Sequence, residues 1–192
     1  SPSLTANFGE IKGGDRGIAR WLLTSTLQGL FTDYKATFEH VDSLGKTNLS
    51  LVDEVTIHEM IHQVEADRQF SDGKPDFLVN DQQDPDDLPD TLYLSNGTTN
   101  AVDVIRDAQL TGDVSGPEHS VQITVGGGQG WSYLRIPDPA GGQYELTRME
   151  RQDGSVIALG TNVWVTDRTF IGRSQRPLYE STLHFLEFGM NS

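Results

Sequence analysis

Tyr34, Ala36, Phe38 and His40 alternate with Lys35, Thr37, Glu39 and Val41, the two-residue period of a strand with one buried face. The run 17–24 before it is rich in apolar and aromatic residues, which suits a pleated, half-buried surface. Gly13-Gly14, Gly29 and Gly45 separate these runs as turns. The second half continues in the same style, with strand candidates at 91–94, 101–105, 120–125, 132–136, 144–150, 156–159, 163–165 and 182–188. Short strands at this spacing, without a long amphipathic helix, predict an all-β chain of sandwich type. Asp153-Gly154, between two of the candidates, signals a tight hairpin of type I′. Gly126-Gly127-Gly128-Gln129-Gly130 opens no helix, so it reads as a turn and not as a phosphate cradle.

The pattern breaks between residues 70 and 92. Ser71-Asp72-Gly73-Lys74-Pro75-Asp76 and Asp81-Gln82-Gln83-Asp84-Pro85-Asp86-Asp87-Leu88-Pro89-Asp90 place three prolines among like charges, which continues neither a helix nor a central strand. This predicts an N-terminal unit over 1–75, an acidic linker over 76–90 pinned by Phe77-Leu78-Val79, and a C-terminal domain over 91–192.

Composition narrows the classes of function. The chain has 192 residues, enough for one large core or two small ones. A net charge of −14 argues against nucleic acid and anionic membranes as partners. No stretch reaches the ~18 apolar residues of a membrane span, which predicts a soluble chain. Ser1 is followed by no basic and apolar leader, so any signal peptide is expected outside this sequence. With no cysteine, thiol catalysis, disulfides and thiolate metal sites are excluded. Seven aspartates fall between Asp72 and Asp90, and those from Asp81 to Asp90 offer hard oxygen ligands for Ca²⁺. They lack the EF-hand spacing, and a solvated linker is the favoured reading.

One motif carries chemistry. His58-Glu59-Met60-Ile61-His62 matches H-E-x-x-H, which on a helix sets two imidazoles on one Zn²⁺ with the glutamate as base for the bound water. A short helix near 51–68 is readable, since Ser50-Leu51-Val52-Asp53 resembles a capping box and Ile57, Met60, Ile61, Val64 and Arg68 form a stripe. His58, His62 and Glu65 would then share a face as three ligands, with Glu59 catalytic. Against this, no G-x-x-H follows His62, and the chain enters Asp/Pro-rich sequence before a second ligand helix. As a strand, 55–64 sets Val55 and Ile57 on one side and His58, Met60, His62 and Val64 on the other, with imidazoles roughly 13 Å apart, too far to share a metal. The strand without a metal is the favoured reading. No G-x-S-x-G is present for a serine hydrolase. Asn48-Leu49-Ser50 and Asn96-Gly97-Thr98 are glycosylation sequons. Trp131, Trp164, Tyr133 and Tyr144 suit either a carbohydrate-stacking platform or, as the favoured reading, core packing.

Gly13-Gly14-Asp15-Arg16-Gly17-Ile18-Ala19-Arg20-Trp21-Leu22-Leu23-Thr24, followed by Gly29-Leu30-Phe31-Thr32-Asp33-Tyr34-Lys35-Ala36-Thr37-Phe38, resembles the strand pair of bacterial immunoglobulin-like modules of the CARDB/APHP type. Gly142-Gln143-Tyr144-Glu145-Leu146 with its Asp153-Gly154 turn is similar in style, and together these cover about half of the chain. The 57–62 and 76–81 blocks resemble sequence found beside such modules. The resemblance implies two immunoglobulin-like β-sandwich units of a secreted or cell-surface protein, serving as spacer, adhesion or docking module. It implies no catalytic residues and no cofactor. The expectation is therefore a non-catalytic structural or adhesion module acting through protein partners or self-assembly, by way of exposed sheet edges. The alternative is a zinc-dependent metallopeptidase.

Overall fold

A computed structural model describes residues 4–15, 17, 19, 56, 58–66, 72–82, 88–115, 119–126, 128–171 and 177–189. The chain divides into two units, Ser1–Ile57 and His58–Ser192. In the first, residues 4–15 are exposed and hold one turn at Gly13-Gly14, where Asp15 N–H donates to Lys12 O at 2.9 Å. The strands expected over 17–24 and 32–41 fall almost wholly outside the described residues.

The second unit is all-β: its described residues form strands and turns, with no helix among them. The strands are β1 (Glu59–Val64), β2 (Asp76–Asn80), β3 (Thr91–Tyr93), β4 (Thr99–Ile105), β5 (Ala108–Asp113), β6 (Ser120–Val125), β7 (Trp131–Pro137), β8 (Val163–Ile171) and β9 (Pro177–Phe188). Seven make one mixed sheet in the order β1-β2-β3-β4-β7-β9-β8, and β5 and β6 pair as a separate hairpin. β1 to β4 run as an antiparallel meander, while β4 and β7 are parallel, with Val102 opposite Trp131. Parallel neighbours need a long crossover, and the β5–β6 hairpin supplies it.

Alternation along the strands gives the sheet two buried faces. Trp131 and Tyr133 of β7, Trp164 of β8 and Leu186 of β9 join Val64, Leu78, Leu92 and Val102 in an inner core. Leu134 and Ile136, Val163, and Leu183 and Phe185 point the other way. Ile157, Leu146, Met149 and the apolar positions Ala108, Ile123 and Val125 of the hairpin cover them. Each fully buried Leu or Val contributes roughly 1.5–3 kcal/mol. The sheet curls until its edge strands meet: the Asn162 amide, just before β8, donates to Glu65 O at 2.9 Å and accepts from Glu65 N–H at 3.0 Å, just after β1. One side chain thus reproduces the paired bonds of an antiparallel ladder.

Several sequence expectations change. Asp76–Asn80, read as the start of a linker, is the buried strand β2, paired on both sides. Its Asp76 carboxylate, 1% exposed, accepts from Ala66 N–H at 2.8 Å and Ser95 N–H at 2.7 Å. The charge that argued for solvent is therefore a buried cap for two backbone donors. The apolar Phe77-Leu78-Val79 is the strand itself. Residues 83–87 of the expected linker lie outside the described residues. β5 went unrecognised because Gln109, Leu110, Thr111 and Gly112 are exposed and show no apolar alternation. Residues 144–150 and 156–159 form no strands, only isolated bridges, Glu150 to Val156 and Leu159 to Val163. Their turn runs from Arg151 to Gly154, with Gly154 N–H donating to Arg151 O at 2.9 Å and Gly154 alone at positive φ, +83°. That is a type I turn closed by a glycine bulge, not type I′.

Candidate functional site

His58 lies just before β1 and the rest of the H-E-x-x-H segment lies on it, at an edge of the sheet; over Glu59–Val64 the chain is a strand and not the helix that zinc chemistry uses. The remaining positions of the alternative helix, 51–55, 57 and 67–68, lie outside the described residues. The register on β2 shifts between Met60↔Val79 and His62↔Leu78, so Ile61 is the extra residue of a bulge. The bulge turns Ile61 onto the inner core beside Val64 and leaves Met60 55% exposed. Met60 therefore does not share a buried side with His62 and Val64, as unbroken alternation had predicted.

The two imidazoles have separate surroundings. His58 Nδ1 lies 2.6 Å from Asp81 Oδ1 just beyond the end of β2, and its ring packs on Tyr93 with centroids 4.5 Å apart. Tyr93 donates its hydroxyl to the other Asp81 oxygen at 2.7 Å. Burial alone would raise the Asp81 carboxyl, but the bonds from Tyr93 and His58 outweigh it and hold the pKa below the ordinary 3.8. The same bond pushes Tyr93 up to about 12. Asp90, at the far end of the acidic stretch, caps Gln82 N–H at 2.7 Å and takes the Thr91 hydroxyl at 2.7 Å. The described acids of this stretch thus bind backbone and side chains, both within it and on the neighbouring segments at His58, Ala66, Tyr93 and Ser95.

His62 belongs to a row of rings that crosses three strands. Its Nε2 lies 2.9 Å from Gly160 O, and its ring stacks on Trp164 of β8 at 4.0 Å. Trp164 also stacks on His184 of β9 at 4.9 Å with planes 2° apart, and the two residues are paired in register. His184 is bonded at both nitrogens, Nδ1 to the Tyr133 hydroxyl and Nε2 to the Thr166 hydroxyl, each at 2.7 Å. Removal from water, then electrostatic repulsion from Arg135 and from the nearby His62 ring, lower its pKa from 6.5 to about 4. It is therefore neutral at physiological pH. Burial likewise pushes Tyr133 up to about 12, against the pull of Arg135. Of the other expected site residues, the third metal ligand Glu65 meets Asn162 through its backbone, and the expected base Glu59 accepts from Asn80 Nδ2 at 3.3 Å. Among the described residues, no three His, Asp or Glu side chains converge as a metal cluster.

A groove of about 1140 Å³ runs between the β5–β6 hairpin and the 138–153 segment. Leu146, Met149 and Phe185 line it, together with the ion pairs Arg148–Glu150 and Arg151–Glu187. Tyr144, 48% exposed, stacks on His119 beside it. Of the aromatics considered for sugar stacking, Trp131, Trp164 and Tyr133 are core residues.

The sequence singled out His62 and Trp164 but not their connection. His184, Asn162, Gly160 and Thr166 carried no local signal, because each matters only through strands distant in sequence. No protein-family model, curated protein or solved structure matches the chain.

Proposed function

We propose that this chain is a non-catalytic structural or adhesion module of an exported protein, acting through protein–protein contacts. One observation carries the reading: the catalytic-looking segment is a bulged edge strand whose imidazoles hold the sheet to itself, His58 to Asp81 and His62 to Gly160 and Trp164. The immunoglobulin-like resemblance, the absence of cysteine and the charge of −14 are compatible with that setting. The contact surface in this reading is the outer half of the β8–β9 ribbon. There Pro177–Ser181 pair with β8 but not with β7, and Leu178 and Tyr179 are 46% and 56% exposed. An extended partner segment would add to this ribbon through backbone bonds.

The test combines metal content with binding. Untagged protein prepared without chelator is expected to hold zinc far below one per chain, and Glu59→Gln to leave any background peptide hydrolysis unchanged. Leu178→Lys with Tyr179→Glu is expected to abolish association, read by sedimentation at increasing concentration and by pull-down from the source secretome. One zinc per chain, lost in His62→Ala together with hydrolysis sensitive to Glu59→Gln, would replace this reading with a zinc hydrolase.

A further inference from the structure

We propose that the groove between β6 and the 144–150 segment is a peptide-binding site, which takes an extended basic segment of a partner protein as an added strand between its two walls. None of residues 177–181 lines this groove, so the site is separate from the β8–β9 ribbon and stands whether or not that surface binds.

The backbone carries the argument. Every residue of β6 lines the groove and no residue of β5 does, so the groove follows the edge of β6 that faces away from its partner. The β5–β6 hairpin is a sheet of two strands, and no described residue outside β5 makes a backbone bond to β6. The opposite wall is in the same state. Residues 144–150 have the alternation of a strand, yet 145–148 make no backbone hydrogen bond among the described residues. At one end the walls touch through side chains, where His119, just before β6, stacks on Tyr144 with centroids 4.4 Å apart. A strand edge without a neighbour is a template for another chain, and here two unbonded stretches of backbone face one groove.

An added strand would bond to both walls and turn alternate side chains inward. The inward ones would meet Ile123, Val125, Leu146 and Met149, which pack on the outer core but are only partly buried. Charge sets the kind of partner. Asp138, Glu145, Glu150, Asp153 and Glu187 line the groove against Arg148 and Arg151. Both arginines are already paired, with Glu150 and Glu187, which leaves Asp138, Glu145 and Asp153 in excess. The net charge of −14 makes a second copy of this chain a poor occupant. Apolar residues alternating with lysine or arginine suit both the floor and the rim.

Panning the whole chain against phage-displayed random decapeptides tests this, followed by amide hydrogen exchange with the selected peptide made synthetically. Enriched sequences should alternate apolar residues with lysine or arginine. In the free chain, protection along β6 should alternate, because only amides facing β5 are bonded. Saturating peptide should protect the other β6 amides, and amides within 145–148, at least tenfold. Glu145→Lys, a change at an exposed position, should weaken binding about fivefold at low salt and less at high salt. No enrichment, enriched acidic sequences, or binding that Glu145→Lys leaves unchanged overturns the proposal. So does a bound peptide that leaves those amides unprotected, which would lie on a face and not along an edge. Protection of the same amides that rises with protein concentration alone would give the groove to a second copy and equally overturn it.

Discussion

Replacing Asp76 with alanine tests whether the buried aspartate of β2 holds the meander together. Its carboxylate accepts from Ala66 N–H at 2.8 Å, where the chain leaves β1, and from Ser95 N–H at 2.7 Å, in the β3–β4 turn. Both amides belong to buried residues. A hydrogen bond to a charged acceptor is worth about 1.5–3 kcal/mol, and an orphaned buried donor costs about 1–3 kcal/mol, so two bonds set a gross loss of about 3–6 kcal/mol. Removing the carboxylate also removes its own desolvation penalty, which returns part of that. The net expectation for Asp76→Ala is a loss of about 2–4 kcal/mol, or roughly 5–15 °C in Tm for a chain of this size. Asp76→Asn keeps the shape but turns an NH₂ toward one of two donors, so about half of the loss is expected. Urea unfolding should show a lower midpoint at unchanged slope, with the exposed Asp107→Ala as a control near zero. A loss below about 1 kcal/mol for Asp76→Ala at unchanged slope would refute the capping argument.

Two further outcomes follow from the junction of β1 and β8. Asn162→Ala removes both bonds to the Glu65 backbone, and because Glu65 is exposed and water substitutes there, the expected loss is about 1–2 kcal/mol in urea unfolding; a neutral result would mean that the aromatic row alone closes the sheet. The second outcome is pH dependence. His184 has a folded pKa below its unfolded value, so its stabilisation is complete above 6.5 and is lost as the pH falls toward about 4. The full shift would be worth about 3.4 kcal/mol at about 1.4 kcal/mol per pKa unit, and solvent screening at a side chain near the junction reduces it to about 2 kcal/mol. Relative to His184→Gln, the wild type should therefore lose about 2 kcal/mol between pH 7 and pH 4 in urea titrations. Parallel curves would remove the assignment. The carboxylates held low, Asp81, Asp113 and Asp153, act below 3.8 and leave that window clear.

The all-β class was legible from alternation and turn residues, and so were most strands of the C-terminal half. The 132–136 and 182–188 candidates became the cores of β7 and β9. Failures cluster where a local rule met a long-range partner. Pro75 and the aspartates read as a solvated linker, yet Asp76 is buried because amides from two distant segments converge on it. Residues 144–150 alternate well enough for a strand but form a covering segment, in which Leu146 and Met149 pack onto the outer core. Segments that cover a sheet and segments that belong to it bury apolar residues alike, and only the backbone partners differ.

The same reasoning explains why a metal motif sits in a strand. His58, Glu59 and His62 have the spacing that a helix would converge, and the local pattern admits a helix over them. What decides the outcome is a neighbour for the backbone: Glu59 to Val64 pair with β2, and the Asn162 side chain holds the chain just beyond that ladder. Once the backbone is extended, successive side chains diverge, and each imidazole is claimed by what lies opposite it. Asp81 follows the strand that pairs with β1, so it meets His58; Trp164 begins the strand at the other edge of the curl, so it meets His62. The motif's residue types remain those that bind metals, but their role follows from the sheet's closure. It is the inner row of His62, Trp164 and His184, rather than the spacing of His58 and His62, that fixes where the His62 ring lies.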